Sequence, residues 1–269
     1  MSRRSAVTNV MVGAAMKAAR GLRRDFGEVE NLQVSRKGPA DFVTTADHRT
    51  EKILFEELNR ARPDWDFLME ERGAVSGTGG NARWIVDPLD GTLNFMHGLP
   101  HFAISIAAEE RGVLTAGIVY DPIKDELFWA EKGRGAFVND ARLRVSSRHS
   151  LDEAVLATGI PFKGRPGHRQ WLAEAEVLMD QVAGLRRFGS AALDLAYVAA
   201  GRYDGFWEHH LNPWDVAAGI LLVKEAGGFV SDIEGRDKAL EGDSIVCGTE
   251  GVHKSLTKTL KQVAKVASD

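Results

Sequence analysis

A layered α/β fold is what this 269-residue sequence predicts, on three observations. From Phe102 to Val145 the chain reads as mainly antiparallel strands with no helix between them. From about residue 150 strands and helices alternate, and two amphipathic helices precede both stretches. Elements of these kinds bury their apolar faces by stacking layers of helix on layers of sheet. The change of pattern divides the chain into an N-terminal α+β half, 1–149, and a C-terminal α/β half, 150–269.

Taken in order, Val7, Val10, Met11, Ala14, Ala18 and Leu22 recur at the helical period and predict the first helix. Lys17 and Arg20 break its apolar run too early for a secretory signal. A second helix carries Ile53, Leu54 and Leu58 on one face and opens at Thr44, with Asp47 three residues on, in the manner of a capping box. Asp66 to Met69 reads as a strand running into Glu70 and Glu71, followed by a polar, glycine-rich and mobile loop to Asn81. Gly77-Thr-Gly-Gly80 in that loop lacks the preceding strand and following helix of a dinucleotide site. Trp84 to Asp87 reads as a buried strand that Pro88 stops.

Strands follow at Phe102–Ala107, Val113–Tyr120 and Glu126–Ala130, and Asn139-Asp140 turns a last hairpin between Ala136–Val138 and Leu143–Val145. In the second half, strands are expected at Ala154–Ala157, Gly184–Phe188, Asp204–Trp207, Phe229–Asp232 and Ile245–Cys247. Helices are expected at Trp171–Val182, Ser190–Ala200 and Trp214–Ala226, and from Val252 onward.

With 44% hydrophobic and 27% charged residues the composition is that of an ordinary soluble globular protein. A net charge of −4 argues against sequence-independent nucleic-acid binding, and the basic run Arg20 to Arg24 reads as a solvated helix face. One cysteine, Cys247, excludes an internal disulfide, fits a reducing compartment and sits in an apolar strand pattern as core. No segment approaches the roughly 20 apolar residues of a membrane span, so a cytoplasmic protein without membrane partners is expected.

Chemistry concentrates where the central strand ends. Asp87 and Asp90 flank Pro88, whose fixed φ turns the backbone sharply and brings both carboxylates to one side. Two carboxylates so close repel unless a cation lies between them. A hard divalent ion answers that need, and the carbonyl of Leu89 offers a third oxygen. Gly91 and Thr92 then open a helix whose free N–H groups suit an anion. Metal beside anion site is the apparatus of metal-assisted phosphoryl transfer to water, against which stands the plain reading of an Asp-Pro-x-Asp-Gly turn capping a helix. Asn212, Pro213 and Asp215 likewise make a complete helix start, so Asp215 needs no function to be where it is.

Asp87-Pro-Leu-Asp-Gly-Thr92, with Asn94 and Phe95 after it, resembles the first signature of the inositol monophosphatase family of Mg²⁺-dependent, lithium-sensitive phosphatases. Trp214-Asp-Val-Ala-Ala218 is similar to the second signature, and the similarity runs over nearly the whole chain. The resemblance implies αβαβα layers as in inositol monophosphatase and fructose-1,6-bisphosphatase-like folds. It also implies a homodimer, two or three Mg²⁺ ions per site, and hydrolysis of a small phosphorylated polyol, inositol 1-phosphate above others, by a metal-activated water. Relatives with these signatures hydrolyse fructose bisphosphate, histidinol phosphate, nucleotide 3′-phosphates or NADP. Some bacterial ones bind the transcription machinery, which makes RNA polymerase a possible partner.

Carried over residue by residue, the resemblance makes Glu71, Asp87, the Leu89 carbonyl, Asp90 and Asp215 the metal ligands. It gives Glu71, Thr92, Asp47 and Asp90 catalytic roles, with Asp47 polarising the Thr92 hydroxyl toward the attacking water. Substrate contacts fall to Gly91, Thr92, Gly189, Ser190, Ala191, Glu208 and Asp215, with Glu208 meeting substrate hydroxyls. Met69 and Arg72 depart from the family's Gly-Glu-Glu-Ser, and Glu71 is the acid of the pair carried over. Lys37 matches a basic residue near a metal-bound water, and Arg186 or Arg187 falls near the subunit contact. His209 and His210 face opposite ways on a strand and are expected at the surface.

Overall fold

The computed structural model describes residues 4–26, 34–38 and 41–266, with side chains described over 4–26 and 44–264. The first amphipathic pattern forms α1 (Ala6–Phe26). Strands β1 (Val34–Gly38) and β2 (Asp41–Thr44) pair antiparallel, a hairpin that the sequence reading did not include. Lys37 falls in β1, so its expected place near a metal-bound water lies outside the described side chains. The capping box forms as read: Thr44 Oγ1 accepts the N–H of Ala46 at 3.1 Å, and Asp47 Oδ2 accepts that of Thr44 at 2.8 Å, starting α2 (Thr45–Ala61).

The next eight strands make one sheet. They are β3 (Asp66–Met69), β4 (Gly73–Val75), β5 (Ala82–Asp90), β6 (Ala103–Glu110), β7 (Val113–Asp121), β8 (Glu126–Glu131), β9 (Gly135–Val138) and β10 (Ala141–Arg142), in the order β10-β9-β8-β7-β6-β5-β3-β4. The β3–β5 pair is parallel and the others are antiparallel. Pro88 does not stop β5. Asp87 pairs with Ser105 and Asp90 with Ala103, so the three steps of β5 oppose two of β6, and the strand carries on through a bulge in which proline's missing N–H costs no ladder bond. The glycine-rich loop after β4 is strapped down: Gly77 N–H donates to Asp66 Oδ1 at 2.6 Å and Gly79 N–H to the Asp64 carbonyl at 2.8 Å.

The second sheet contains β11 (Val155–Thr158), β12 (Gly184–Arg186), β13 (Gly205–His209), β14 (Phe229–Ser231) and β15 (Ser244–Gly248), in the order β12-β11-β13-β15-β14. Around it lie α4 (His168–Met179), α5 (Ala191–Ala199), α6 (Pro213–Glu225) and α7 (Glu250–Val266), and the short α3 (Thr92–Met96) joins β5 to β6. Three apolar cores define the layers. Met11, Leu22, Leu54 and Leu58 of α1 and α2 pack on Trp84, Ile104 and Ile118 of the large sheet. Its other face, with Ile85, Val119 and Phe128, meets Leu193, Leu195, Ile220 and Leu222 of α5 and α6, which also cover Phe206 and Cys247 of the small sheet. Leu178, Leu256 and Leu260 of α4 and α7 close the far face over Leu156, Trp207 and Val246. The stack is αβαβα, the layering that the resemblance implies.

Small residues keep the middle layer thin. A side chain on Gly117 of β7 would begin 3.1 Å from Ala218 Cα, and one on Gly219 2.4 Å from a Leu195 methyl. Close stacking brings the N-termini of α5 and α6 beside the end of β5. Ala192 N–H reaches an Asp90 oxygen at 2.7 Å, and Ser105 Oγ of β6 reaches the Trp214 carbonyl at 3.3 Å.

Candidate active site

Acids from four elements converge on the bulged end of β5. Asp87, 2% exposed, folds back so that its Oδ1 accepts the Leu89 N–H at 2.9 Å. Asp90, at the other side of the bulge, leans onto α5: its Oδ2 accepts Ser190 Oγ at 2.5 Å and Ala192 N–H at 2.7 Å. Asp215 sits in the first turn of α6, where its Oδ2 accepts the Asn212 N–H at 2.7 Å. Glu208 comes from the end of β13.

A fifth acid at this point is Glu70. Its charge presses on both Asp87 and Asp215, whereas that of Glu71 presses on Asp47 and Glu51. This corrects the expectation that Glu71 joins Asp87, and strand alternation is the reason. On β3, Phe67 and Met69 face the α1–α2 core and Leu68 faces the α5–α6 core, so the next residue, Glu70, continues on the α6 side. β3 and β5 pair Leu68 with Ile85 and Met69 with Val86, which sets Glu70 and Asp87 side by side. Glu71 turns toward α2, where its N–H donates to buried Glu51 Oε2 at 2.8 Å. Glu51 also takes the Arg72 N–H at 3.2 Å, and its Oε1 lies 3.3 Å from the Arg72 guanidinium, which stacks 4.6 Å above the Phe55 ring. Arg72, a departure from the family pattern, thus holds the loop against α2.

Thr92 and Asp47 come together as expected. The Thr92 hydroxyl lies 3.1 Å from Asp47 Oδ1 and 3.0 Å from the Leu89 carbonyl, two acceptors for its one proton. Gly91 before it has φ +93°, and a Cβ there would stand 3.1 Å from the His101 carbonyl and 3.3 Å from that of Gly189, so only glycine fits. Asn94 ties the two halves, donating to the carbonyls of His101 at 2.8 Å and Phe188 at 2.7 Å. Its reach across the molecule holds Gly189 at the site's edge. Ser190 is buried as the N-cap of α5, and its hydroxyl proton goes to Asp90. His209 is not at the surface: it is half-buried, with Nε2 2.9 Å from Glu174, while His210 is exposed. A cavity of about 70 Å³ lined by Gly159, Phe162, Arg165, Trp171 and Glu208 borders the acids, whereas the larger cleft of about 430 Å³ between Val113, Ile220 and Leu240 holds none of them.

The electrostatics are those of crowded carboxylates. Burial, then Glu70, Asp90 and Asp215, hold the Asp87 carboxyl well above the usual aspartate range. Burial pushes Asp90 up to about 6 despite the Ser190 and Ala192 donors. Burial and the Asp90 charge push Asp215 up to about 7. Burial, Asp215 and Asp90 push Glu208 up to about 8, against the relief of Arg187 and Arg165. All-oxygen donors that mutually repel match a hard divalent cation, which removes the strain that raises these values.

The sign of the resulting pH dependence follows. A carboxyl whose pKa is higher folded than unfolded takes its proton preferentially in the native state. Its contribution is full below the ordinary value of 3.8 and is lost as pH climbs through about 6 for Asp90 and about 7 for Asp215. In chelator, the thermal midpoint should therefore be higher at about pH 5 than at about pH 8, and a reversed order contradicts the clustering.

Comparisons with known proteins agree over nearly the full length. The family model described as the inositol monophosphatase family matches residues 3–265. An inositol-1-monophosphatase of Mesorhizobium japonicum is 58% identical over 96% of this chain and 97% of its own. The Nus factor SuhB of Escherichia coli is 43% identical over 94% of this chain and 95% of its own. The crystal structure of the extragenic suppressor protein suhB from Bartonella henselae superposes with a TM-score of 0.93 at 58% identity, covering 96% of this chain and 99% of that one. Two signatures set on one bulged strand end and one helix start, in this fold and at these identities, make the chain a member of the inositol monophosphatase family.

Proposed function

We propose that this protein is a Mg²⁺-dependent phosphate monoester hydrolase acting on inositol 1-phosphate. The observation that carries the reading is the convergence of Glu70, Asp87, Asp90 and Asp215 beside the Thr92–Asp47 pair. Glu70, Asp87, Asp90 and Asp215, with the Leu89 carbonyl, hold two or three ions, Glu70 taking the role first expected of Glu71. A divalent ion bound there supplies Lewis acidity that neutralises phosphate charge and makes water acidic at neutral pH. The Thr92 hydroxyl, polarised by Asp47, orients the attacking water through its Oγ1. N–H groups of Gly91 and Thr92 receive the phosphate oxygens. Glu208 meets substrate hydroxyls, with Gly189 and Ala191 at the pocket edge.

The 58%-identical Mesorhizobium relative, named inositol-1-monophosphatase, supports the inositol branch. Phosphate release from a panel of inositol 1-phosphate, fructose 1,6-bisphosphate and histidinol phosphate tests it. Preference for the inositol ester, with inhibition by Li⁺, is the expected result, and preference for another ester moves the chain to that branch. Membership of the family is what supports a homodimer. Among the described residues no helix is long and apolar enough to cross a membrane, which is consistent with a cytoplasmic protein.

Ser190 offers a graded test. Ser190→Ala removes a donor from Asp90 without touching an expected ligand, and should raise the Mg²⁺ concentration for half-maximal activity by ~10–100-fold. An unchanged Mg²⁺ titration contradicts the placement of Asp90 in the metal shell.

A second reading has one specific support: the Escherichia coli relative is named a Nus factor. Pull-down of RNA polymerase with wild-type protein and with Asp90→Asn separates a transcription role from catalysis.

A further inference from the structure

β11 and β13 run parallel with Thr158 opposite Trp207, so Gly159 and Glu208 are the next pair at the strand ends. A methyl group built on Gly159 would fall 1.9 Å from Glu208 Oε1, which means that the carboxylate lies across the bare Cα. Gly159 is buried and its backbone is outside the left-handed region, so the conformation there does not demand glycine; the space does.

The opposite face of β13 is pinned to α4. Trp207 and His209, two residues apart, point away from Glu208 toward Glu174, which is 0% exposed. Glu174 accepts Trp207 Nε1 at 3.0 Å and Gln170 Nε2 at 3.0 Å, and lies 2.9 Å from His209 Nε2. A buried carboxylate is tolerated when its lone pairs are filled in this way. One turn earlier on the same helix, Trp171 Nε1 donates to Thr158 Oγ1 at 3.2 Å. α4 therefore holds the ends of both strands that bear the Gly159–Glu208 pair.

We propose that Gly159 and Glu174 are positioning residues for Glu208: the first leaves the space its carboxylate occupies, and the second locks the strand that carries it. Together they set how tightly substrate hydroxyls are held. This assignment rests on the reading of Glu208 as the acid that meets those hydroxyls. A methyl at position 159 displaces only the end of a flexible side chain, so the fold survives while the carboxylate leaves its seat.

The test is KM and kcat for inositol 1-phosphate and for 4-nitrophenyl phosphate, which has no hydroxyl for Glu208 to meet, in wild type, G159A, E174Q, E208A and G159A/E208A. G159A and E174Q should each raise KM for inositol 1-phosphate about tenfold, leave kcat and 4-nitrophenyl phosphate turnover within about twofold, and G159A should add nothing to E208A. If E174Q does not fold, G159A and the double variant decide. Should E208A leave KM for inositol 1-phosphate unmoved, the reading of Glu208 fails and the assignment with it. Should E208A raise KM while G159A does not, or should G159A worsen E208A further, the seat alone is overturned.

Discussion

Asp90→Asn is expected to lower turnover of inositol 1-phosphate by ~10³-fold or more while keeping the fold, with a thermal midpoint in chelator no lower than that of wild type because one of the crowded charges is gone. The amide keeps an oxygen where Ser190 Oγ and Ala192 N–H donate, at 2.5 and 2.7 Å, so the link from β5 to α5 survives. What is lost is the negative charge that balances a divalent ion. Metal ions contribute several kcal/mol of transition-state stabilisation, and each ~1.4 kcal/mol is a factor of ten. Initial rates of phosphate release, together with a melting curve in chelator, measure both halves of the expectation. Undiminished Mg²⁺-dependent turnover in the variant contradicts the assignment of Asp90.

Glu70→Gln and Glu71→Gln should separate by a wide margin. Glu70 faces Asp87 and Asp215, so neutralising it should cost ~10²–10³-fold in activity at fixed Mg²⁺. Glu71 faces Asp47 and Glu51, so its neutralisation should cost less than ~10-fold. In chelator Glu70→Gln should also melt later than wild type, because one of the charges crowding buried Asp87 is gone. The reverse ranking of the two variants contradicts the strand alternation on which the assignment stands.

That contrast marks how far the sequence could be read. Periodicity located six of the seven described helices, all but the short α3, and cap chemistry located Asp47 and Asp215, because caps and amphipathic faces are local properties. The turn from Asp87 to Thr92 was legible for the same reason, since Pro88 and Gly91 have few conformations open to them. Pro88 as a bulge was not legible, because a bulge exists only relative to its partner, here Ser105 and Ala103 of β6. Glu70 was legible in principle: Phe67, Leu68 and Met69 alternate, and extending that alternation by one residue selects it. Matching the acid pair to a family pattern, across the Met69 and Arg72 departures, chose the neighbour instead. The fate of His209 was beyond local reading, because its partner Glu174 comes from a helix packed on the far face of the small sheet. Likewise, nothing around Gly159 announces that a carboxylate 49 positions later needs its empty space.

The most direct test of the central claim, that the acid cluster at the end of β5 is a metal-dependent phosphatase site, is a Mg²⁺ titration of chelator-treated protein with inositol 1-phosphate as substrate and released phosphate as the readout. The account predicts no release above background without the ion and a saturable return of activity as it is added, absent in Asp90→Asn. Release that persists undiminished in chelator, or that Asp90→Asn restores as fully as wild type, would contradict it.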